Sequence, residues 1–262
     1  MKAEIPKSYD IIGNIAILKF SKDIKKKDKV KIAKKVLEEI KSVKTVLEKT
    51  GKVSGRLRKI KTNYLSGEKT KIAEYKENNC RFKFDVEEAY FSPRLSNERK
   101  EIAMQVKKGE KVLVMFAGVA PYSIVIAKNS EAEVVYSNEI NVKASKSAEE
   151  NVLLNKLKNV VVIQGDSKRI SRRFADKKIK FDRIVMPRPQ LKDTFLQSAF
   201  SIIKKSGIIN YYGFSDNGAE VLKLIREEAK KAQKKIRLLK LKKAGDIAPF
   251  KFRWRVDFLV LN

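Results

Sequence analysis

Apolar and polar positions follow two different rhythms along this chain, and the change between them divides it. Over residues 9–20, YDIIGNIAILKF, apolar residues flank a Gly13-Asn14 pair, which predicts two short strands about a tight turn. Over residues 29–41, Val30, Ala33, Val36, Leu37 and Ile40 fall at helical spacing. Residues 43–47, 57–60, 71–75 and 81–86 read as further short strands. Residues 1–88 are therefore expected to form a small α+β domain with much antiparallel sheet.

From there to residue 262, strands alternate with helices. Short apolar runs at 111–116, 132–137, 160–164, 181–186 and 207–212 have strand length. Helices are expected after Pro121 and over 141–155, 190–204 and 217–235, and 236–241 and 254–261 read as a closing pair of strands. This βαβ rhythm predicts an α/β domain over 89–262 built on a doubly wound, mostly parallel sheet. Such sheets bind ligands at the carboxyl ends of their strands, near the switch in strand order. The site is accordingly expected just after Phe116, Ser137, Gln164 and Met186.

Composition narrows the chemistry. At 43% hydrophobic over 262 residues, the chain can bury a core, which excludes wholesale disorder. No run approaches the roughly 20 apolar residues of a membrane span. The start, MKAEIPKSYD, has no apolar signal core, so a cytoplasmic protein is expected. Cys80 is the only cysteine and histidine is absent. That excludes an internal disulfide and the usual Ser-His-Asp and Cys-His engines, and leaves no ordinary zinc ligand set. Acid–base work falls to carboxylates, Lys, Tyr or backbone, and no metal is expected.

Charge changes the picture most. Sixty Lys and Arg face 31 Asp and Glu, a net +29. A Lys-rich surface of the thermophilic kind would be balanced by Glu. This one is not, and a polyanion, nucleic acid first, is the expected partner. Two stretches carry no acid. One holds Lys49, Lys52, Arg56, Arg58, Lys59 and Lys61; the other holds Lys230, Lys231, Lys234, Lys235, Arg237, Lys240, Lys242 and Lys243. Either reads as a solvated face or as phosphate contacts. Tyr64, Tyr211 and Tyr212 could stack on an unpaired base, although strand alternation puts at least one of the last two in the core.

Three residues fall in successive sheet-end loops. Gly118 lets backbone approach a ligand closely. Glu139 can bind both hydroxyls of a ribose, and Asp166 can accept from an adenine amino group. Singly, each acid reads as a solvated loop residue; together and in this order they point to a nucleoside cofactor. Glu98 and Arg99 read, by themselves, as the start of a helix whose dipole favours an acid.

FSPRLSNER (91–99), MFAGVAPYSI (115–124), VVYSNEIN (134–141), QGDS (164–167) and IINYYGF (208–214) together resemble the archaeal tRNA guanosine-37 N1-methyltransferase family and its wybutosine-pathway sisters. YDIIGNIAIL is similar to the start of that family's second domain, so the likeness covers nearly the whole chain. It implies a class I, Rossmann-like methyltransferase fold that uses S-adenosylmethionine to methylate N1 of guanosine 37 in the anticodon loop of tRNA. It implies Tyr90, Arg99, Phe116, Gly118, Glu139, Ile140, Asp166, Ser167 and Pro187 around the cofactor. Glu98 would take the proton from guanine N1, and Arg58 would steady the charge developing on the base. Arg56, Lys59, Lys61, Arg94 and Arg188 would meet RNA, and the protein would act as a monomer. The small N-terminal domain with which many relatives grip tRNA has no expected counterpart, which leaves that work to the basic runs.

Three positions depart from the family pattern. Val114 stands where an acid is usual, Ala120 where glycine is, and Pro187-Arg188-Pro189 where Asn-Leu-Pro is. They keep two alternatives open: transfer of the aminocarboxypropyl group of the same cofactor, and an RNA-binding module whose cofactor site has decayed.

Overall fold

The Gly13-Asn14 pair turns the chain as its sequence requires. In the computed structural model, which describes residues 6, 9–21, 23–51, 55, 57, 59–187 and 191–262, β1 (Tyr9–Ile12) and β2 (Ile15–Leu18) pair antiparallel across it. The helix α1 (Lys26–Glu39) carries the chain over to β3 (Thr45–Lys49), parallel to β2, and β4 (Thr62–Gly67) returns antiparallel. Ile32, Ala33 and Val36 of α1 close a core with Ala16, Leu18, Val43, Val46 and Leu65. A separate hairpin, β5 (Ile72–Glu77) with β6 (Cys80–Asp85), turns on Asn78 and Asn79, both left-handed.

Gly13 has φ +59°, and a Cβ there would lie 1.8 Å from the carbonyl oxygen of Glu74 on β5. Asn14 beside it holds the same strand, accepting from the Glu74 amide at 2.7 Å. Neither backbone can yield alone. Gly13→Ala is expected to cost about 2–3 kcal/mol, read as a shift in the urea midpoint; an unchanged midpoint would mean the two strands separate freely.

The strand expected over 57–60 is not there: among the described residues of that stretch, Lys59 makes only a single bridge. The strand is β4, which begins at Thr62, two residues past that stretch. Its polar sequence TNYLSG hides it, because this edge strand buries only Thr62 and Leu65 and carries a register shift.

The chain packs as two units, Met1–Pro93 and Arg94–Asn262. The second opens with α2 (Ser96–Gln105) and continues β7 (Lys111–Met115), α3 (Pro121–Asn129), β8 (Val134–Glu139), α4 (Val142–Leu154), β9 (Val160–Gln164), α5 (Ser167–Asp176) and β10 (Phe181–Met186). It closes with α6 (Leu196–Phe200), β11 (Ile203–Ser215), α7 (Gly218–Lys231), β12 (Ile236–Ala248) and β13 (Lys251–Val260). Its seven-stranded sheet has the order β12-β13-β11-β10-β7-β8-β9. Counted from β7, this is 3-2-1-4-5-7-6, with β7 to β11 parallel and β13 antiparallel to both neighbours. The order reverses between β7 and β10.

One face of this sheet sends Leu113, Met115, Ile184, Met186, Ile209, Tyr211, Val256 and Phe258 against Ile170 and Phe174 of α5, α6, and Val221 and Ile225 of α7. On the other, alternation presents Arg183, Asn210, Tyr212, Arg255 and Asp257, and α2 meets them with Glu98, Glu101 and Gln105. Covering both faces buries Tyr211 and Tyr212 alike, at 0% and 1% exposed, so neither can stack on a base.

Two helices differ from expectation. SKRISRRFAD is mostly charged, yet it forms α5, because Ile170, Ser171 and Phe174 make a buried stripe at helical spacing. The helix expected over 190–204 is the five-residue α6, and the chain is already strand at Ile203. There β11 pairs with β10 and, further on, with β13, so tertiary pairing overrides the local pattern. No helix among the described residues is long and apolar enough to cross a membrane.

Candidate active site

The loop after β7 is wound unusually: Phe116, Gly118 and Ala120 have φ of 59°, 58° and 64°. The winding is pinned from within: Ala117 donates its amide to the Asn138 carbonyl at 2.9 Å and Ala120 to the Ala117 carbonyl at 3.0 Å. Gly118 donates its amide to Glu139 Oε2 at 2.8 Å, and Asn141 donates to Oε1 at 2.7 Å. Burial pushes the Glu139 carboxyl above the usual range, against the pull of these amides. Each oxygen so held keeps a further acceptor site, the requirement for sharing two neighbouring hydroxyls. Ala120, the departure from glycine, sits left-handed and fully buried at the start of α3, a conformation that costs alanine about 1–2 kcal/mol.

Asn138, which sequence reasoning missed, ties the second loop to the third. Its side-chain amide donates to the carbonyls of Ile163 and Gly165, at 3.1 and 3.0 Å, and its oxygen accepts from the Ser167 hydroxyl at 2.6 Å. Asp166 caps α5 by accepting from the Lys168 amide at 2.9 Å, and Gln164 donates to the Ile140 carbonyl at 3.1 Å. Phe116, Gly118, Glu139, Ile140, Asp166 and Ser167 thus gather at the carboxyl ends of β7, β8 and β9. The only signal for Asn138 was its place beside Glu139.

Glu98 and Arg99 are both buried in the first turns of α2. The Arg99 guanidinium lies 5.9 Å from the centre of the Tyr122 ring. Glu98 is enclosed: Oε2 accepts from Arg255 Nη1 at 2.6 Å and from the Tyr212 hydroxyl at 3.2 Å, and Lys242 Nζ lies 2.6 Å from Oε1. Burial pushes the Tyr122 hydroxyl up to about 12 and the Tyr212 hydroxyl up as well, so both stay neutral, and Tyr212 remains a donor to Glu98. For Lys242, burial favours the neutral form, but Glu101 and Glu98 outweigh it and raise its pKa. Lys242 thus binds carboxylates rather than standing free as a phosphate contact.

Pro187 follows β10, half-buried, and Val114 is fully buried within β7. Tyr90 belongs to the first unit and is 39% exposed. Also in that unit, Lys59 is ion-paired with Glu88, Lys61 is exposed, and exposed Tyr64 donates its hydroxyl to the Gly67 carbonyl. Arg94 is exposed on the 3₁₀ turn Pro93–Leu95 before α2. Arg56, Arg58 and Arg188 lie outside the described residues.

A 3-2-1-4-5-7-6 sheet with a backbone-held acid after its second strand and a helix-capping acid after its third defines a class I methyltransferase domain. The model of the TRM5/TYW2 methyltransferase domain matches residues 73–239, and that of the TYW2 N-terminal domain matches residues 1–70. The chain belongs to the TRM5/TYW2 methyltransferase family. It is 40% identical, over 98% of its length and 76% of the relative's, to the tRNA (guanine(37)-N(1))-methyltransferase Trm5b of Pyrococcus abyssi. The crystal structure of that protein superposes with a TM-score of 0.87 at 39% identity, over 98% of this chain and 76% of the other. The tRNA (guanine(37)-N(1))/4-demethylwyosine(37)-methyltransferase Taw22 of Nanoarchaeum equitans is 33% identical over 97% of this chain and all of its own. Methanocaldococcus jannaschii Trm5, solved in complex with adenosine, gives a TM-score of 0.84 at 27% identity over 98% of this chain and 75% of the other.

Proposed function

We infer that this protein is an S-adenosylmethionine-dependent tRNA methyltransferase that methylates N1 of guanosine 37. The observation that carries the reading is the joining of two sets of groups in one domain. Amide-held Glu139 and helix-capping Asp166 suit an adenosine, and on α2 a buried carboxylate, Glu98, suits a proton acceptor.

The bound cofactor supplies an electrophilic methyl group on a sulfonium. Everything else falls to the chain. Glu139 accepts from the ribose hydroxyls and Asp166 from the adenine amino group; Ser167, Ile140, Phe116, Gly118, Arg99 and Pro187 complete the surround. Tyr90 joins them on the resemblance alone, as does Arg58 in steadying the base. Guanine N1 is protonated at neutral pH and must lose that proton before its lone pair can attack. Glu98 takes the proton, which general-base catalysis makes worth roughly 10²–10⁴ in rate. Because Lys242 covers Oε1, it must draw aside for this step, and Glu101, its second partner, gives it a place to go. Residues 89–262 bind the cofactor. Residues 1–88, with Arg56, Lys59 and Lys61, contact RNA together with Arg94 and Arg188. The protein works as a monomer in the cytoplasm, where its substrate is.

Glu139→Ala removes a charged acceptor of two hydrogen bonds and is expected to weaken S-adenosylmethionine about 10–100-fold by calorimetry. Affinity within about 2-fold of the parent would remove Glu139 from the ribose site. The reaction is tested by incorporating label from methyl-labelled S-adenosylmethionine into unmodified tRNA transcripts that differ only at position 37. Label that requires guanosine is expected, and label indifferent to the base would overturn the assignment. Transfer of label only from the aminocarboxypropyl carbons would replace it with the alternative reaction.

A further inference from the structure

Glu98 is surrounded by one row of the sheet. The register pairs Tyr212 of β11 with Arg255 of β13, and Arg255 with Lys242 of β12. Three adjacent strands thus place three hydrogen-bond donors side by side, and all three converge on the same carboxylate of α2. They are not equivalent. Lys242 is 30% exposed and shared with Glu101, so it can leave. The Arg255 side chain is fully buried and cannot: its Nη1 holds Glu98 at 2.6 Å, Nη2 holds Glu101 at 3.1 Å, and Nε faces Asp257 Oδ2 at 3.2 Å. Burial works against its charge, yet Asp257, Tyr212 and Glu98 raise its pKa well beyond the ordinary value, so it remains a fixed cation.

A base that takes a proton from RNA needs one free oxygen and a fixed direction. Oε2, held by Arg255 and Tyr212, cannot rotate away, and Oε1 is left as the oxygen that Lys242 uncovers. We propose that Arg255 is a positioning residue for methyl transfer: it acts through Glu98, fixing Oε2 and so aiming Oε1 at the base. Glu101 holds Arg255 in turn by a hydrogen bond and Asp257 by charge alone, so the chain of control runs from β13 to α2. The proposal rests on Glu98 being the proton acceptor.

The test is a double-mutant cycle on the full chain, read as single-turnover methylation of a guanosine-37 transcript. Glu98→Gln tests the base itself. Arg255→Lys keeps the charge but loses the fork that holds two carboxylates at once. It is expected to slow transfer about 10–100-fold, because a misaimed group costs on that order. Its KM for tRNA, its affinity for S-adenosylmethionine and its folded circular-dichroism spectrum should stay those of the parent. In the Glu98→Gln background the same change is expected to alter the rate by less than about 2-fold, because groups acting as a unit are not additive. Tyr212→Phe removes one hydroxyl from the same oxygen without changing shape, and should show the same pattern with a smaller fall, about 3-fold. It carries the test if Arg255→Lys does not fold. A slow Glu98→Gln with a fast Arg255→Lys, or with equal losses in both backgrounds, would overturn the positioning role and leave the base standing. A fully active Glu98→Gln would overturn the base and the positioning role together.

Discussion

Replacing Glu98 by Gln is expected to lower turnover about 10²–10⁴-fold while S-adenosylmethionine affinity changes little. The amide has the size of the carboxylate and can still accept from Arg255 and Tyr212, but it cannot take a proton. The acids proposed for the cofactor lie elsewhere, Glu139 held by the amides of Gly118 and Asn141 and Asp166 by that of Lys168. Rate and affinity should therefore separate: a large fall in kcat, measured with tRNA saturating, beside an unchanged calorimetric Kd. A fall in both by the same factor would mean that Glu98 shapes the cofactor site rather than the proton transfer. The change also removes a negative charge from beside Arg255 and Lys242, leaving Glu101 and Asp257 to balance them.

The largest loss of stability is expected from Arg183→Met. Arg183 lies in the middle of the sheet, with its side chain 1% exposed. It donates to both oxygens of Glu110, at 2.8 and 3.1 Å, to Asn210 Oδ1 at 3.1 Å and to the Gln105 carbonyl at 2.8 Å. Methionine fills similar space but leaves a largely buried carboxylate, a carbonyl and an amide oxygen without their donor. Stranding one member of a buried ion pair costs about 3–5 kcal/mol, and a urea titration should show the midpoint fall accordingly. A loss under about 1 kcal/mol would mean that water reaches the site and satisfies those groups. Asn210 also donates to Asp257 at 2.7 Å, so this network adjoins the group that holds Glu98. A modest loss of methylation activity beside the loss of stability would fit that connection.

The sequence was a good guide wherever local pattern carries the information. Alternating strands and helices announced the parallel sheet, and the Gly13-Asn14 turn formed where its φ requirement placed it. The carboxyl-end loops after Phe116, Ser137 and Gln164 did gather Gly118, Glu139 and Asp166, because a parallel sheet brings equivalent strand ends to one edge. Local pattern misled over residues 190–204. There, apolar residues suited a helix or a strand equally, and pairing with β10 and β13 decided. It also hid α5, whose apolar stripe is only two residues wide among charges.

What the sequence by itself determined is the class of fold, the strand-end loops and the acids within them, since these follow from periodicity and from residues near one another in the chain. What only the tertiary structure decided is the surround of Glu98. Arg255 and Lys242 lie more than 140 positions away and carried no signal beyond basic charge. They reach Glu98 because antiparallel β12 and β13 register them beside Tyr212. The physical reason is that register is a property of paired strands: a slip of one residue would turn Arg255 to the opposite face, and no stretch of sequence read alone specifies the partner against which it is set.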